Sequence, residues 1–134
     1  MTRPFDPSAV PAIDVREAGR RLGAAADGGP AALLVDVREL GEVVGGRADG
    51  AVLIPLSSFG VRFRELPADR TLLVICQSGY RSSLAAAYLA ANGYPDALNV
   101  AGGMIAWERA GLPVRRGPLA PAEGAVPGTA EGGS

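Results

Sequence analysis

Four short, mostly apolar runs constrain this chain more than anything else in it. They are Ala32-Leu33-Leu34-Val35-Asp36, Ala51-Val52-Leu53-Ile54, Thr71-Leu72-Leu73-Val74-Ile75 and Ala97-Leu98-Asn99-Val100. Runs of this length with little polar alternation suit strands buried on both faces. Helix signals lie between them. Asp14-Val15-Arg16-Glu17 has the D-x-x-E form of a capping box and predicts a helix over 15–22. Residues 38–44 predict a short helix, and 57–66 another with Ser57 or Ser58 as its cap. Residues 81–92 predict a longer one, with Leu84, Ala87, Tyr88 and Ala91 at i, i+3, i+4 and i+7 as its buried face. Gly93 is its stop. Gly102-Gly103 turns into a short helix bearing Met104 and Trp107, both read as core, and Gly111 and Pro113 end it. Asp27-Gly28-Gly29-Pro30 reads as a turn. Buried strands alternating with helices predict an α/β domain with a mainly parallel sheet.

The length of 134 residues suits one domain. Residues 1–11, with Pro4, Pro7 and Pro11, read as an N-terminal arm, and 12–114 as the folded domain. Residues 115–134 are rich in Gly, Pro and Ala and predict a disordered tail. A net charge of −1 without a basic block argues against nucleic acid or an anionic membrane as partner. No apolar run reaches the ~20 residues of a membrane span, and the first residues lack a signal-type apolar core. The expectation is a cytoplasmic protein. A single cysteine permits no internal disulfide, and the absence of histidine removes Cys–His pairs and most zinc sites. No metal or cofactor is expected. Lysine is absent too, so a cation that tunes a site here is an arginine or a backbone dipole.

Cys76 ends the third run, where an α/β sheet binds its ligands. On position alone it reads equally as a small buried apolar residue. The stretch that follows, Gln77-Ser78-Gly79-Tyr80-Arg81-Ser82, favours chemistry. A short Gly-containing loop entering a helix can aim several N–H groups at one point, and the helix N-terminus adds about half a positive charge. Arg81 and the hydroxyls of Ser78 and Ser82 are candidate donors. A thiol so placed can fall from about 8.5 to roughly 3.5–7.5 without a histidine base. Asp36 and Arg38 read as a structural ion pair at the sheet edge that also supports the site. Tyr80 is read as lining the entrance or simply facing solvent, and Ser82 as a sulfur donor or a helix cap.

The loop CQSGYRS resembles the active-site loop of rhodanese-like sulfurtransferases, typically C-R-x-G-x-R-S. Leu34-Val35-Asp36-Val37-Arg38-Glu39 is similar to that family's L-D-V-R-E segment, and Gly50–Leu56 to its G-A-x-N-I-P-L segment. Residues 99–107 and Gly111-Leu112-Pro113-Val114 resemble its L-x-G-G-x-x-A-W and G-L-P-V segments. The motifs occur in family order over about residues 12–114. The resemblance implies a rhodanese-like fold with five mainly parallel strands and helices on both faces. Two positions depart from the pattern. Arg47 stands where a structural histidine is usual, which predicts local repacking. Gln77 stands where arginine is common, which predicts weaker attraction for an anionic donor such as thiosulfate.

What the resemblance implies is transfer of a sulfane sulfur through a Cys76 persulfide. The donor is a small molecule, and the acceptor is cyanide, a small thiol or a protein thiol. A persulfide carrier and a non-enzymatic docking or regulatory module stand as alternatives. Phosphatases of related fold place five residues between Cys and Arg, whereas only Gln77, Ser78, Gly79 and Tyr80 separate Cys76 from Arg81 here. The tighter ring suits a persulfide rather than a phosphoryl group.

Overall fold

The computed structural model describes residues 10–23 and 30–127. Residues 1–9 of the expected arm, 27–29 of the expected turn and 128–134 of the expected tail lie outside the described residues. The elements run β1 (Ala12–Ile13), α1 (Val15–Gly23), β2 (Leu33–Asp36), α2 (Leu40–Gly45), β3 (Arg47–Ala48), β4 (Val52–Leu53) and α3 (Leu56–Arg62). A 3-10 turn at Phe63–Glu65 follows, then β5 (Leu72–Ile75), α4 (Tyr80–Ala91), β6 (Ala97–Val100), α5 (Gly103–Arg109) and β7 (Val114–Arg115). Five strands form one sheet in the order β1-β6-β5-β2-β4, and every pairing in it is parallel. β3 and β7 make a separate antiparallel pair.

β5 lies at the centre of this sheet, and all four of its residues are buried. The two-residue period of a strand sends successive side chains to opposite faces. Leu72, Val74 and Cys76 join the core packed beneath α3 and α4, with Phe59, Phe63 and Leu89. Leu73 and Ile75 join the opposite core beneath α1 and α5, with Ala18, Met104 and Trp107. Each buried Leu, Ile or Val contributes about 1.5–3 kcal/mol through area removed from water. The alternation also fixes where the sulfur goes, because it continues the Leu72–Val74 side towards α4.

Some local expectations give way to tertiary contacts. Asp14 caps α1 by accepting from Glu17 N–H at 2.8 Å, but the Glu17 carboxylate turns to Arg20 and Arg21 instead of closing the box. Ser57 and Ser58 do not cap α3, which starts after Pro55; the Ser57 hydroxyl donates to Glu39 Oε1 at 2.8 Å. In α4 the buried residues are Ser82, Ser83, Ala85, Ala86, Ala87 and Leu89, while Ala91 is exposed. Alanine covers this helix on all sides, so its sequence gives too little contrast to mark the inner face. No helix among the described residues is long and apolar enough to cross a membrane.

The largest departure is at the C-terminal end. Residues 115–127, expected as disordered tail, lie packed on the domain. Arg47, 2 % exposed, ties them down. Its Nε donates to Glu123 Oε2 at 2.5 Å and its Nη2 to Oε1 at 3.0 Å. Its Nη1 donates to the carbonyls of Val43 at 3.1 Å and Gly117 at 2.8 Å. Leu53 N–H donates to Gly124 O at 2.9 Å, and Val126 is buried in the α3–α4 core. A low apolar content does not prevent order when a buried guanidinium supplies the fixed points.

The ion pair holds the Glu123 carboxyl down at about 2, chiefly through the hydrogen bond from Arg47. A depressed carboxylate contributes stability above its ordinary value and loses it as pH falls through the folded value. Glu123→Ala strands the buried Arg47 charge without its carboxylate. The variant is expected to unfold at lower urea than the parent at pH 7, and the gap should narrow as pH falls from about 4.5 towards about 2. Urea midpoints of both proteins across that range check this.

Candidate functional site

The loop after β5 wraps the Cys76 sulfur. Gly79 takes φ 112°, a left-handed conformation that favours glycine, and this turns its N–H back onto Sγ at 3.1 Å. Ser82, in the first turn of α4, brings its hydroxyl to 3.3 Å from Sγ. Cys76 is 1 % exposed, and burial is the largest single influence on it, pushing the thiol up. Against this act the Ser82 hydroxyl and the backbone N–H groups of Ser82, Gly79 and Ser78. Together they win, and the thiol lies below its ordinary value. The cradle of donors that the Gly-containing turn places around the sulfur is mostly backbone. Ser78 contributes through its N–H, and Tyr80 is 67 % exposed.

Arg81 is not one of these donors. Its Nη1 and Nη2 donate to Glu42 Oε2 and Oε1 at 2.8 and 2.7 Å. The pair holds the Glu42 carboxyl at about 2 and raises Arg81 further above its ordinary value, so both stay charged. Arg81 thus joins the start of α4 to α2 and acts on the sulfur only through space. Asp36 and Arg38 form a buried pair, with Arg38 Nη2 at 2.9 Å from Oδ2 and Nε at 3.1 Å from Oδ1. Arg38 also donates to Gly46 O at 2.7 Å and to Gln77 Oε1 at 3.3 Å. Gln77 therefore does more than remove a positive charge, since its carbonyl occupies an arm of Arg38.

Two partners escaped the sequence reading. Glu42 sits on a short helix with nothing in its surroundings to single it out. Asn99 left a faint signal, a polar residue inside the apolar run ALNV. Its Nδ2 donates to Gly79 O at 3.2 Å, and its Oδ1 accepts from Ser82 Oγ at 2.6 Å. A cavity of about 340 Å³ opens beside the loop, lined by Arg38, Glu42, Gly45, Gly46, Gln77 and Glu108.

α5 supports the loop from behind. Met104 N–H donates to Cys76 O at 2.8 Å, and Ile105 N–H to Gln77 O at 3.1 Å. The approach is possible because residue 103 is glycine. A Cβ there would lie 2.4 Å from Cys76 O and 2.5 Å from Gln77 O, and φ is +56°. Trp107 is buried and donates its Nε1–H to Pro113 O at 3.0 Å, and Met104 is buried beside it, in line with their reading as core.

The sequence model of the family described as "Rhodanese-like domain" matches residues 20–110. This chain belongs to that family. Among curated proteins it is 45% identical over 64 residues to a sulfurtransferase of Allochromatium vinosum, a match covering 48% of this chain and 60% of the relative. It is 44% identical over 46 residues to the thiosulfate sulfurtransferase GlpE of Actinobacillus succinogenes, over 34% of this chain and 41% of the relative. These matches span less than two thirds of either relative. Among solved structures, a rhodanese-related protein of Thermoplasma volcanium superposes with TM-score 0.69 at 28% identity, over 78% of this chain and 97% of that one. The rhodanese-like family thus includes proteins named sulfurtransferases, and the five-stranded parallel sheet is its fold.

Gly103→Ala is expected to cost this rhodanese-like domain about 3 kcal/mol, from left-handed strain and a clash with carbonyls that cannot move aside. Urea unfolding measures the loss, and Gly50→Ala is the control. Gly50 has a left-handed φ of +84° but nothing within 4 Å of its Cβ position. A loss no larger than the control's would mean that α5 does not press on the loop.

Proposed function

We propose that this protein is a sulfurtransferase that carries a sulfane sulfur on Cys76. The observation that supports this most is the convergence of the Ser82 hydroxyl and three backbone N–H groups on the only cysteine, in a chain without histidine. These donors favour the thiolate and need no base to form it. The thiolate attacks the outer sulfur of the donor. The new bond joins Cys76 Sγ to that sulfur, the donor's S–S bond breaks, and its electron pair leaves with the remainder, which is sulfite when the donor is thiosulfate. The persulfide keeps a negative charge that the same N–H groups stabilise, as an oxyanion hole does in acyl transfer. An acceptor then takes the outer sulfur and regenerates the thiolate, giving two half-reactions on one nucleophile. With no second cysteine, the acceptor is external: cyanide, a small thiol or a protein thiol.

The surroundings bear on the donor. The three guanidiniums around the loop cavity each meet a carboxylate: Arg38 with Asp36, Arg81 with Glu42 and Arg116 with Glu108. Little net positive charge is left to attract a dianion. In our reading thiosulfate is a slow donor, and a persulfide of low charge is a better one. The relatives named for thiosulfate support the reaction class in this reading, and the donor is left to experiment.

Intact mass after incubation with thiosulfate, and separately with glutathione persulfide, tests the proposal. The expected result is gain of one sulfur atom, faster with the persulfide and lost in Cys76→Ala. No gain with either donor leaves a docking module and overturns the enzyme reading. Gain without turnover to cyanide or thiols identifies a carrier for a protein acceptor. Cys76-dependent hydrolysis of a small aryl phosphate would contradict the loop-length argument.

A further inference from the structure

Asn99 lies on β6, in register with Val74 of β5, and its side chain reaches across to the loop. Its amide has one workable orientation. Nδ2 donates to Gly79 O, which leaves Oδ1 facing Ser82 Oγ. Exchanging the two atoms would set a carbonyl oxygen against the Gly79 carbonyl, two acceptors with no proton between them. The Ser82 hydroxyl carries one proton. It has two acceptors in reach, Asn99 Oδ1 at 2.6 Å and Cys76 Sγ at 3.3 Å, and it serves one at a time.

We propose that Asn99 is a positioning residue that gives the Ser82 proton two seats: on Asn99 Oδ1 while Cys76 is a thiol, and on Sγ once the thiol ionises. In the first state the Cys76 S–H points at a lone pair of Ser82 Oγ, making a chain from sulfur to hydroxyl to amide oxygen. In the second, the hydroxyl turns about its Cβ–Oγ bond and no heavy atom moves. Asn99 Oδ1 then gives up its donor. Asn99 therefore competes with the thiolate for the one side-chain donor in the cradle and limits how far the thiol is depressed. This has a use in sulfur transfer, because thiolate nucleophilicity falls as its pKa falls and the best attacking thiol sits near ambient pH. Gly79 does not depend on Asn99 for its position. Its carbonyl also accepts from Ser83 N–H at 3.2 Å, within α4. The inference rests on Cys76 working as a thiolate, and is independent of what the sulfur carries.

The charged and titratable groups around the loop are Arg81 and Tyr80 on α4, Glu42 on α2, Asp36 and Arg38 at the end of β2, and Glu108 on α5 with its partner Arg116. None is altered by substitutions at residues 82 and 99, so a shift in the Cys76 profile reports the hydroxyl and the amide. The test is the pH profile of Cys76 alkylation by iodoacetamide, without any sulfur donor, in the parent, Ser82→Ala, Asn99→Leu and the double variant. Ser82→Ala is expected to move the midpoint up. Asn99→Leu should move it down by the worth of one neutral hydrogen bond, making alkylation about twofold to threefold faster below the midpoint, the larger thiolate fraction being partly offset by its lower nucleophilicity. In the Ser82→Ala background the same change should do nothing. Asn99→Ala carries the test if leucine is not accommodated. An equal shift in both backgrounds, an upward shift, or none in the parent background would overturn the proposal. A failure here leaves the mass gain of Cys76 untouched, and a failure there leaves this profile readable.

Discussion

Everything at this site depends on a sulfur that the sheet takes out of water and the following turn supplies with donors. Burial alone would keep Cys76 a thiol. The Ser82 hydroxyl and the N–H groups of Ser78, Gly79 and Ser82 reverse that balance. The order of events along the chain explains how. The period of β5 sends the sulfur to the α4 side, a left-handed Gly79 turns the chain back over it, and α4 begins at once with its free N–H groups aimed inward. α5 then grips the loop carbonyls from behind, at a distance only Gly103 permits.

Side-chain charges play a different part. Arg81, Arg38 and Arg116 each close on a carboxylate, so they fix the frame around the loop rather than touch the sulfur. The partly exposed pairs of Arg81 and Arg116 set position at modest net energy, about 0–1 kcal/mol each, whereas the buried Arg38–Asp36 pair is costly to break. Arg47 acts likewise on a larger scale. Buried at the start of the short strand β3, it uses its full fork to collect Glu123 and carbonyls from two segments, and so draws residues 115–127 onto the domain.

The sheet, the loop and Cys76 were legible in the sequence because each is local. Four apolar runs give four strands, and strand, glycine turn and helix follow one another within about ten residues. What escaped was set by distance. β1, β3 and β7 are two-residue strands that exist only through their partners. The pairing of Arg81 with Glu42 joins residues 39 apart, and Arg47 with Glu123 joins residues 76 apart. Nothing near Arg81 in the chain says that its charge is taken, which is why it read as a sulfur donor. Residues 115–127 read as disorder because their order comes from a guanidinium on another element.

Chemistry at Cys76 depends on the folded protein lowering its own thiol. Cys76 is the only cysteine, so thiolate absorbance reports it alone, and the chain unfolded in urea supplies the reference. Titrating the two states side by side is the most direct measurement. The folded midpoint is expected to lie below the unfolded one, which should sit near the ordinary thiol value of about 8.5. A folded midpoint at or above the unfolded one would mean that burial wins over the loop's donors, and would contradict the account.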